Sequence, residues 1–352
     1  MSDAPKQEQV IDIKAAVEAI IDSIEPERER EIIARRFGLY ERKETLEQIG
    51  ELLGITRERV RQLEKAILIR IKMSAERGDL PDVTASEKVI IRVLSDLGRA
   101  ARVQSLTDKL LNKRSDARER AHIAFLAELA PNLTVVNETD NYHNAISIAQ
   151  YGDEKKVRKE VDEIVKTIKK GKEPITIDAL HEKLTYEHPN HVKALASISK
   201  HLAHLKDTWG LSKWPTVNPK NIRDKIFVVL TESGKPLHFS EIADAIKESD
   251  FSRKDVTTQA IHNELIKDKR FVLIGRGIYA LDSWGYRKGT VADAIADVLK
   301  KSKEPLHRDE IVRRVLKSRQ VKETTILLNL QSKPQFKRVA KATYTYEATP
   351  AK

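Results

Sequence analysis

Five side chains within a short stretch carry the chemistry of base recognition: Arg57, Glu58, Arg61, Gln62 and Lys65. An arginine can bridge O6 and N7 of guanine, a glutamine can pair with adenine, and a carboxylate can accept from N4 of cytosine. On a helix, at about 100° per residue, all five fall within an arc of about 140°, while Val60, Leu63 and Ile67 gather opposite, at roughly 240° to 300°. One face is then buried and the other offers donors and acceptors to a major groove. Glu58 is the discriminating member, because a purely electrostatic phosphate binder gains nothing from a carboxylate. The alternative is a solvated face held by local contacts among Arg57, Glu58, Arg61 and Gln62. Such a face alone does not account for the turn that precedes it.

That turn is built from local signals. In Thr45-Leu46-Glu47-Gln48 the threonine hydroxyl can accept from a free backbone N–H and Gln48 can reach back, so a helix starts at Leu46. Leu46, Ile49 and Leu53 share one side of it, and Gly50 permits close approach by a neighbour. Gly54 supplies a positive-φ turn, Ile55 plugs the core, and Thr56 caps the next helix. The pattern predicts a helix-turn-helix with the five polar side chains on its second helix.

Helical periodicity runs from Ile11 to Met73, and Gly78-Asp79-Leu80-Pro81-Asp82 reads as a linker that closes a first module. Downstream, one phrase recurs at Glu173-Pro174-Ile175-Thr176, Lys235-Pro236-Leu237-His238 and Glu304-Pro305-Leu306-His307. Each copy follows an amphipathic helix and precedes another, and the prolines lie roughly 60 to 70 residues apart, one small domain per repeat. In the best-defined copy a third helix near Thr257–Lys267 leads to Arg270-Phe271-Val272-Leu273-Ile274, Gly275-Arg276-Gly277 and Ile278-Tyr279-Ala280-Leu281. Two β-rich runs around a glycine-bearing connection predict a hairpin with Arg276 at its tip, available to a minor groove or to phosphates. Three helices and a terminal hairpin make a winged helix. The last copy ends in Phe336-Lys337-Arg338-Val339 and Tyr344-Thr345-Tyr346 with no glycine in its turn, and an earlier one ends in Trp209-Gly210-Leu211 and Trp214-Pro215. Thr84 to Tyr151 reads as a degenerate first copy with strands at Leu133–Val136 and Ala145–Ile148.

Composition agrees with several small cores: the 352 residues are 33% charged and 5% aromatic, with a formal net charge of +11 that favours a polyanionic partner. Cysteine is absent, which excludes disulfides, a thiolate nucleophile and Cys-ligated zinc, and fits a reducing compartment. The N-terminal Met1–Gln9 carries no apolar signal region and no run approaches a membrane span, so a cytoplasmic, nucleoid-associated protein is expected. Gly171-Lys172 and Gly234-Lys235 lack the rest of a phosphate loop, and no nucleophile elbow occurs. The metal-like set His188, His191, His201 and His204 is better explained as surface histidines, and the recurring His238 and His307 as structural hydrogen-bonders. No enzyme activity, cofactor or metal is expected.

Pro26-Glu27-Arg28-Glu29-Arg30-Glu31-Ile32-Ile33, Arg35-Arg36-Phe37-Gly38-Leu39, Thr45–Gly50 and Thr56–Ala66 together resemble region 4 of sigma-70 family sigma factors. The resemblance implies binding of double-stranded DNA at a promoter −35-like element and of RNA polymerase core through its β flap. It makes Arg57, Glu58 and Gln62 base readers and sets Thr45, Thr56 and Arg61 near phosphates. About 25 residues precede the match, so the family's region 2 is not expected, nor a complete sigma factor. Lys235-Pro236-Leu237-His238 with Glu241-Ile242, Arg270-Phe271, Gly275-Arg276-Gly277 and Trp284 resemble the HARE-type helix-turn-helix, found also in the delta subunit of bacterial RNA polymerase. The expected architecture is mainly α: a region 4-like helix-turn-helix over 10–77, followed by tandem winged helices with small β-hairpin wings over 84–151, 154–216, 219–286 and 289–348. The expected function is a promoter-acting DNA-binding regulator or sigma-like factor. The alternatives are a delta-like polymerase subunit whose winged modules bind protein, and a targeting subunit of a DNA-modifying enzyme.

Overall fold

A computed structural model describes residues 12–251, 255–286, 289–302, 304–319 and 321–347, so the polar Met1–Gln9 segment lies outside the described residues, as do residues 10, 11 and 348 at the ends of the expected modules. The fold is mainly α with small antiparallel hairpins. The chain divides into two compact units between Ser212 and Lys213. None of the described helices is long and apolar enough to cross a membrane.

The first unit opens with α1 (Ile13–Asp22), α2 (Glu27–Phe37), α3 (Leu46–Leu53) and α4 (Arg57–Glu76). Acidic Glu27 and Glu29 sit in the first turn of α2 and basic Arg35 and Arg36 in its last, each favourable to the helix dipole. The helix ends at Gly38, whose φ of 70° an L-residue would rarely adopt. There follow α5 (Pro81–Leu97), β1 (Ala100–Arg102), α6 (Val103–Leu111), α7 (Ala117–Leu129), β2 (Leu133–Val136) and β3 (Ala145–Ile148). The unit closes with α8 (Glu154–Gly171), β4 (Ile175–Thr176), α9 (Ile177–Glu182), α10 (Pro189–Ile198), β5 (Leu202–Leu205) and β6 (Thr208–Leu211).

The linker expected at Gly78–Asp82 needs correcting. Pro81 is the first residue of α5, a position that suits its missing N–H. Ile67, Ile71 and Ala75 of α4 share one continuous core with Val17, Ile20 and Ile21 of α1, Ile90 and Leu94 of α5, and Phe125 and Leu126 of α7. Only the N-terminal half of α4 belongs to a local cluster, formed by Ile32, Ile49 and Val60.

The second unit contains α11 (Ile222–Ser233), β7 (Leu237–His238), α12 (Phe239–Glu248), α13 (Thr258–Lys267), β8 (Phe271–Gly275) and β9 (Ile278–Leu281). It continues with α14 (Val291–Ser302), β10 (Leu306–His307), α15 (Arg308–Leu316), α16 (Glu323–Ser332), β11 (Phe336–Ala340) and β12 (Thr343–Tyr346). Among the described residues, helix, short strand, two helices and a hairpin recur four times. In every copy the short strand pairs antiparallel with the last strand, which lies between the other two.

The recurring phrase is the short strand together with a helix cap. Thr176 accepts from Ala179 N at 3.3 Å, His238 Nδ1 from Ser240 N at 3.3 Å, and His307 Nδ1 from Asp309 N at 3.4 Å. In the first copy Arg102 stands at this position and provides no side-chain cap. Its strand β1 escapes the phrase because Gly98 and Arg99, both at positive φ, replace the proline turn. One hairpin also differs from expectation. The one before Ser212 uses β5 and β6, leaving Trp214-Pro215 beyond it. That of the last copy turns without glycine, Ala342 taking φ 57°.

Candidate nucleic-acid interface

The helix-turn-helix is held by backbone geometry. Thr45 Oγ1 accepts from Gln48 N at 3.2 Å while Gln48 Oε1 accepts from Thr45 N at 2.9 Å, which closes a capping box at the start of α3. Gly54 ends α3 at φ 65°, and Ile55 N donates to Gly50 O at 2.9 Å. A Cβ on Gly50 would lie 2.7 Å from Ile55 O, so this helix position admits the following turn only as glycine. Arg28 Nη2 donates to Leu53 O at 2.9 Å and satisfies a carbonyl that the end of α3 leaves open. Thr56 Oγ1 then accepts from Arg59 N at 3.2 Å and starts α4.

Along α4, Val60 and Ile67 are buried and Leu63 is half-buried, whereas Arg57, Glu58, Arg61, Gln62 and Lys65 are all exposed. Arg36 Nε to Glu64 Oε1 at 3.1 Å ties the inner side of α4 to α2. On the outer face Arg61 grips Glu58 with two hydrogen bonds, Nη2 to Oε1 at 2.6 Å and Nε to Oε2 at 2.8 Å, and Gln62 Nε2 adds a third to Oε1 at 3.3 Å. Those Arg61 bonds hold the Glu58 carboxyl below its usual range, and the same pair raises Arg61. Arg57 and Lys65 make no hydrogen bond or ion pair among the described residues. Both capping threonines are exposed, but Thr45 Oγ1 lies 3.2 Å from Gln48 Oε1, to which it donates, while the Thr56 hydroxyl proton has no such acceptor among the described residues.

Seven of the eight singled-out side chains therefore cluster on one helix-turn-helix, and Arg276 belongs to the other unit. Its hairpin is tighter than the sequence suggests. Gly275 pairs with Ile278 as a strand residue, and of the two glycines only Gly277, at φ 73°, occupies the left-handed region. Gly277 O accepts from Phe239 N at 3.0 Å, and a Cβ there would meet His238 Nε2 at 2.4 Å, so the tip is fastened to the start of α12. Arg276 itself is exposed.

The four spaced histidines are separately engaged. His188 Nδ1 caps α10, His191 Nδ1 bonds Gly98 O at 2.8 Å, His201 Nε2 bonds Asn141 Oδ1 at 2.8 Å, and His204 stacks on Trp209 at 4.8 Å. No group of three potential metal ligands gathers among the described residues.

The third helix of each copy presents a further contrast that single-sequence reading missed. Eight residues before the first hairpin strand stand Phe125, Ala194, Asn263 and Leu328 in the four copies. Phe125 and Ala194 are buried, whereas Asn263 is exposed and Leu328 is 63% exposed. Asn263 Oδ1 accepts from Gln259 Nε2 at 3.2 Å, which makes an exposed amide pair on α13.

A family model described as sigma-70, region 4 matches residues 26–72. RNA polymerase sigma factor RpoD of Helicobacter pylori (strain ATCC 700392 / 26695) is 44% identical over 63 residues, 17% of this chain and 9% of that protein. RNA polymerase sigma factor SigA of Nostoc sp. (strain PCC 7120 / SAG 25.82 / UTEX 2576) is 39% identical over 61 residues, 17% of this chain and 15% of that one. SigA of Bacillus sp is 37% identical over 71 residues, 20% and 19% respectively. The chain thus spans less than a fifth of the length of these curated relatives.

Proposed function

We propose, from the premise that residues 26–72 are a sigma-70 region 4 helix-turn-helix, that this protein acts at promoters by reading a −35-like element through α4 while contacting RNA polymerase. The observation that carries the reading is the two-sided α4: Val60 and Ile67 buried, and Arg57, Glu58, Arg61, Gln62 and Lys65 exposed on one arc. A helix seated this way presents base-reading side chains to a major groove while its caps lie near the backbone. We read the protein as a DNA-binding regulator or sigma-like factor rather than an enzyme, and its four repeated units as winged helices.

The delta-like alternative gains support for part of the chain. In the first two copies the third helix, the element a winged helix would lay in a groove, has Phe125 or Ala194 buried on the side where Asn263 and Leu328 are open. Those two copies suit a protein-packing role, and the last two keep a free face for DNA or polymerase.

The test is selection of bound duplexes from a randomised pool by the full chain, with and without core polymerase. Enrichment of a −35-like sequence that is lost in Arg57→Ala and Gln62→Ala supports the reading. Recovery of unselected duplexes by wild type and variants alike overturns it.

A further inference from the structure

The turn after α2 and the start of α6 face each other across a cleft of about 490 Å³. Arg42 and Lys43 line it from one side, Arg102, Gln104 and Arg120 from another, and His143 from the loop before β3. Cations thus converge from three parts of the fold. Of the three carboxylates that line it, Glu128 is engaged by Lys72 and Glu138 by Lys200, each at 2.7 Å, while Glu41 forms no ion pair among the described residues. Arg42 and Lys43 form no ion pair among the described residues.

The first copy differs from the other three at this point. Where Thr176, His238 and His307 supply an acceptor to the helix that follows, Arg102 supplies a guanidinium, directed to Ser197 O. An acceptor has been exchanged for a cation at the wall of a cleft. Burial is the first cause that disfavours the charged form of three of these groups: it lowers Lys43, with Arg36 adding to it, lowers Arg102 by itself, and lowers His143 together with Arg102 and Lys200. Bound anionic oxygens would relieve all three.

We propose that this cleft is a phosphate-binding site. Lys43 stands two residues before Thr45, the cap of α3, so a duplex backbone passing that cap would continue towards the cleft. A free polyphosphate would satisfy the same groups. The DNA form of this inference rests on the promoter-binding reading, and the free-phosphate form does not.

Two variants of the full chain test it. Lys43→Ala removes a cation at the cleft, and Gln104→Glu places a carboxylate there on the first turn of α6, where the helix dipole favours it, so folding is preserved. Arg102 is left intact because it also holds Ser197 O. If the DNA backbone enters, Lys43→Ala lowers the slope of log affinity against log salt by about one. Base preference stays unchanged, and inorganic pyrophosphate has no effect on melting. If a free phosphate enters, pyrophosphate raises the melting temperature of the wild type and of neither variant. Wild-type salt slopes in both variants, together with no stabilisation by pyrophosphate or stabilisation undiminished in the variants, overturn the proposal. Failure of the promoter reading shows separately, as loss of sequence selection by the wild type.

Discussion

The rings of Phe37 and Phe125 meet edge to face with centroids 5.0 Å apart. Phe37 ends α2 of the helix-turn-helix, and Phe125 occupies the third helix of the first repeat, so this contact lies where the two modules become one core. Phe125→Ala should cost about 3–5 kcal/mol, the range for emptying a buried aromatic site. A chain cut after Arg77 should melt broadly, because Ile67, Ile71 and Ala75 lose the core they share with α5 and α7. Calorimetry checks both. A sharp transition for the fragment would return the helix-turn-helix to the status of an independent domain.

The Glu58–Arg61 pair alters what substitution on α4 should do. Arg57→Ala and Gln62→Ala are expected to weaken the preferred DNA site by about 1–3 kcal/mol and to flatten discrimination at one base pair each. Arg61→Ala should reduce the salt slope and also disturb the position read by Glu58, since Arg61 orients that carboxylate. In a double-mutant cycle with Glu58→Gln the two effects should not add. Strict additivity across binding isotherms would make Arg61 a phosphate contact alone.

Gly50 and Gly54 flank the same turn but should respond differently. Gly50→Ala drives a Cβ into Ile55 O and should destabilise by about 1–3 kcal/mol while lowering DNA affinity. Gly54 has open space around it and only its φ of 65° to satisfy, so Gly54→Asn should be far milder. Thermal melts and binding measured on the same preparations separate the two.

Tyr142 donates to Asp162 Oδ1 at 2.7 Å, joining the first and second repeats. Burial, then that bond, pushes its phenol up to about 12. The folded value lies above the ordinary 10, so the stability it contributes is complete below pH 10 and is lost as pH rises through 12. Phenolate absorbance should show late-titrating tyrosines, since burial and Glu163 push Tyr186 up as well, and Tyr142→Phe should remove one of those phenols together with its share of the alkaline loss of stability.

Arg276→Ala should leave the melting temperature unchanged, because the tip is fastened by Gly277 and Phe239 rather than by the guanidinium. If the hairpin contacts DNA, the affinity of the full chain falls and its salt slope decreases. Unchanged binding would assign the second unit's free helices to protein partners.

What the sequence determined by itself is what neighbouring residues decide among themselves. Thr45 and Gln48 cap each other, Gly54 takes the conformation its missing side chain allows, and the spacing of Val60, Leu63 and Ile67 divides α4 into two faces, all within about two helical turns. The strands at Leu133–Val136 and Ala145–Ile148 were legible for the same reason. Tertiary structure alone decided what each exposed or apolar side chain would meet. Nothing near Phe125 announces that its helix face packs on Phe37, and the glycine in Gly78–Asp82 signals a break whether or not a core crosses it. Nor does periodicity tell that Arg102, at a position where three other copies place an acceptor, turns towards Ser197 and leaves a cationic cleft opposite Lys43. Local propensity is set by backbone and side-chain geometry within a few residues, whereas these contacts join segments 59 to 95 positions apart, where only the packed fold chooses the partner.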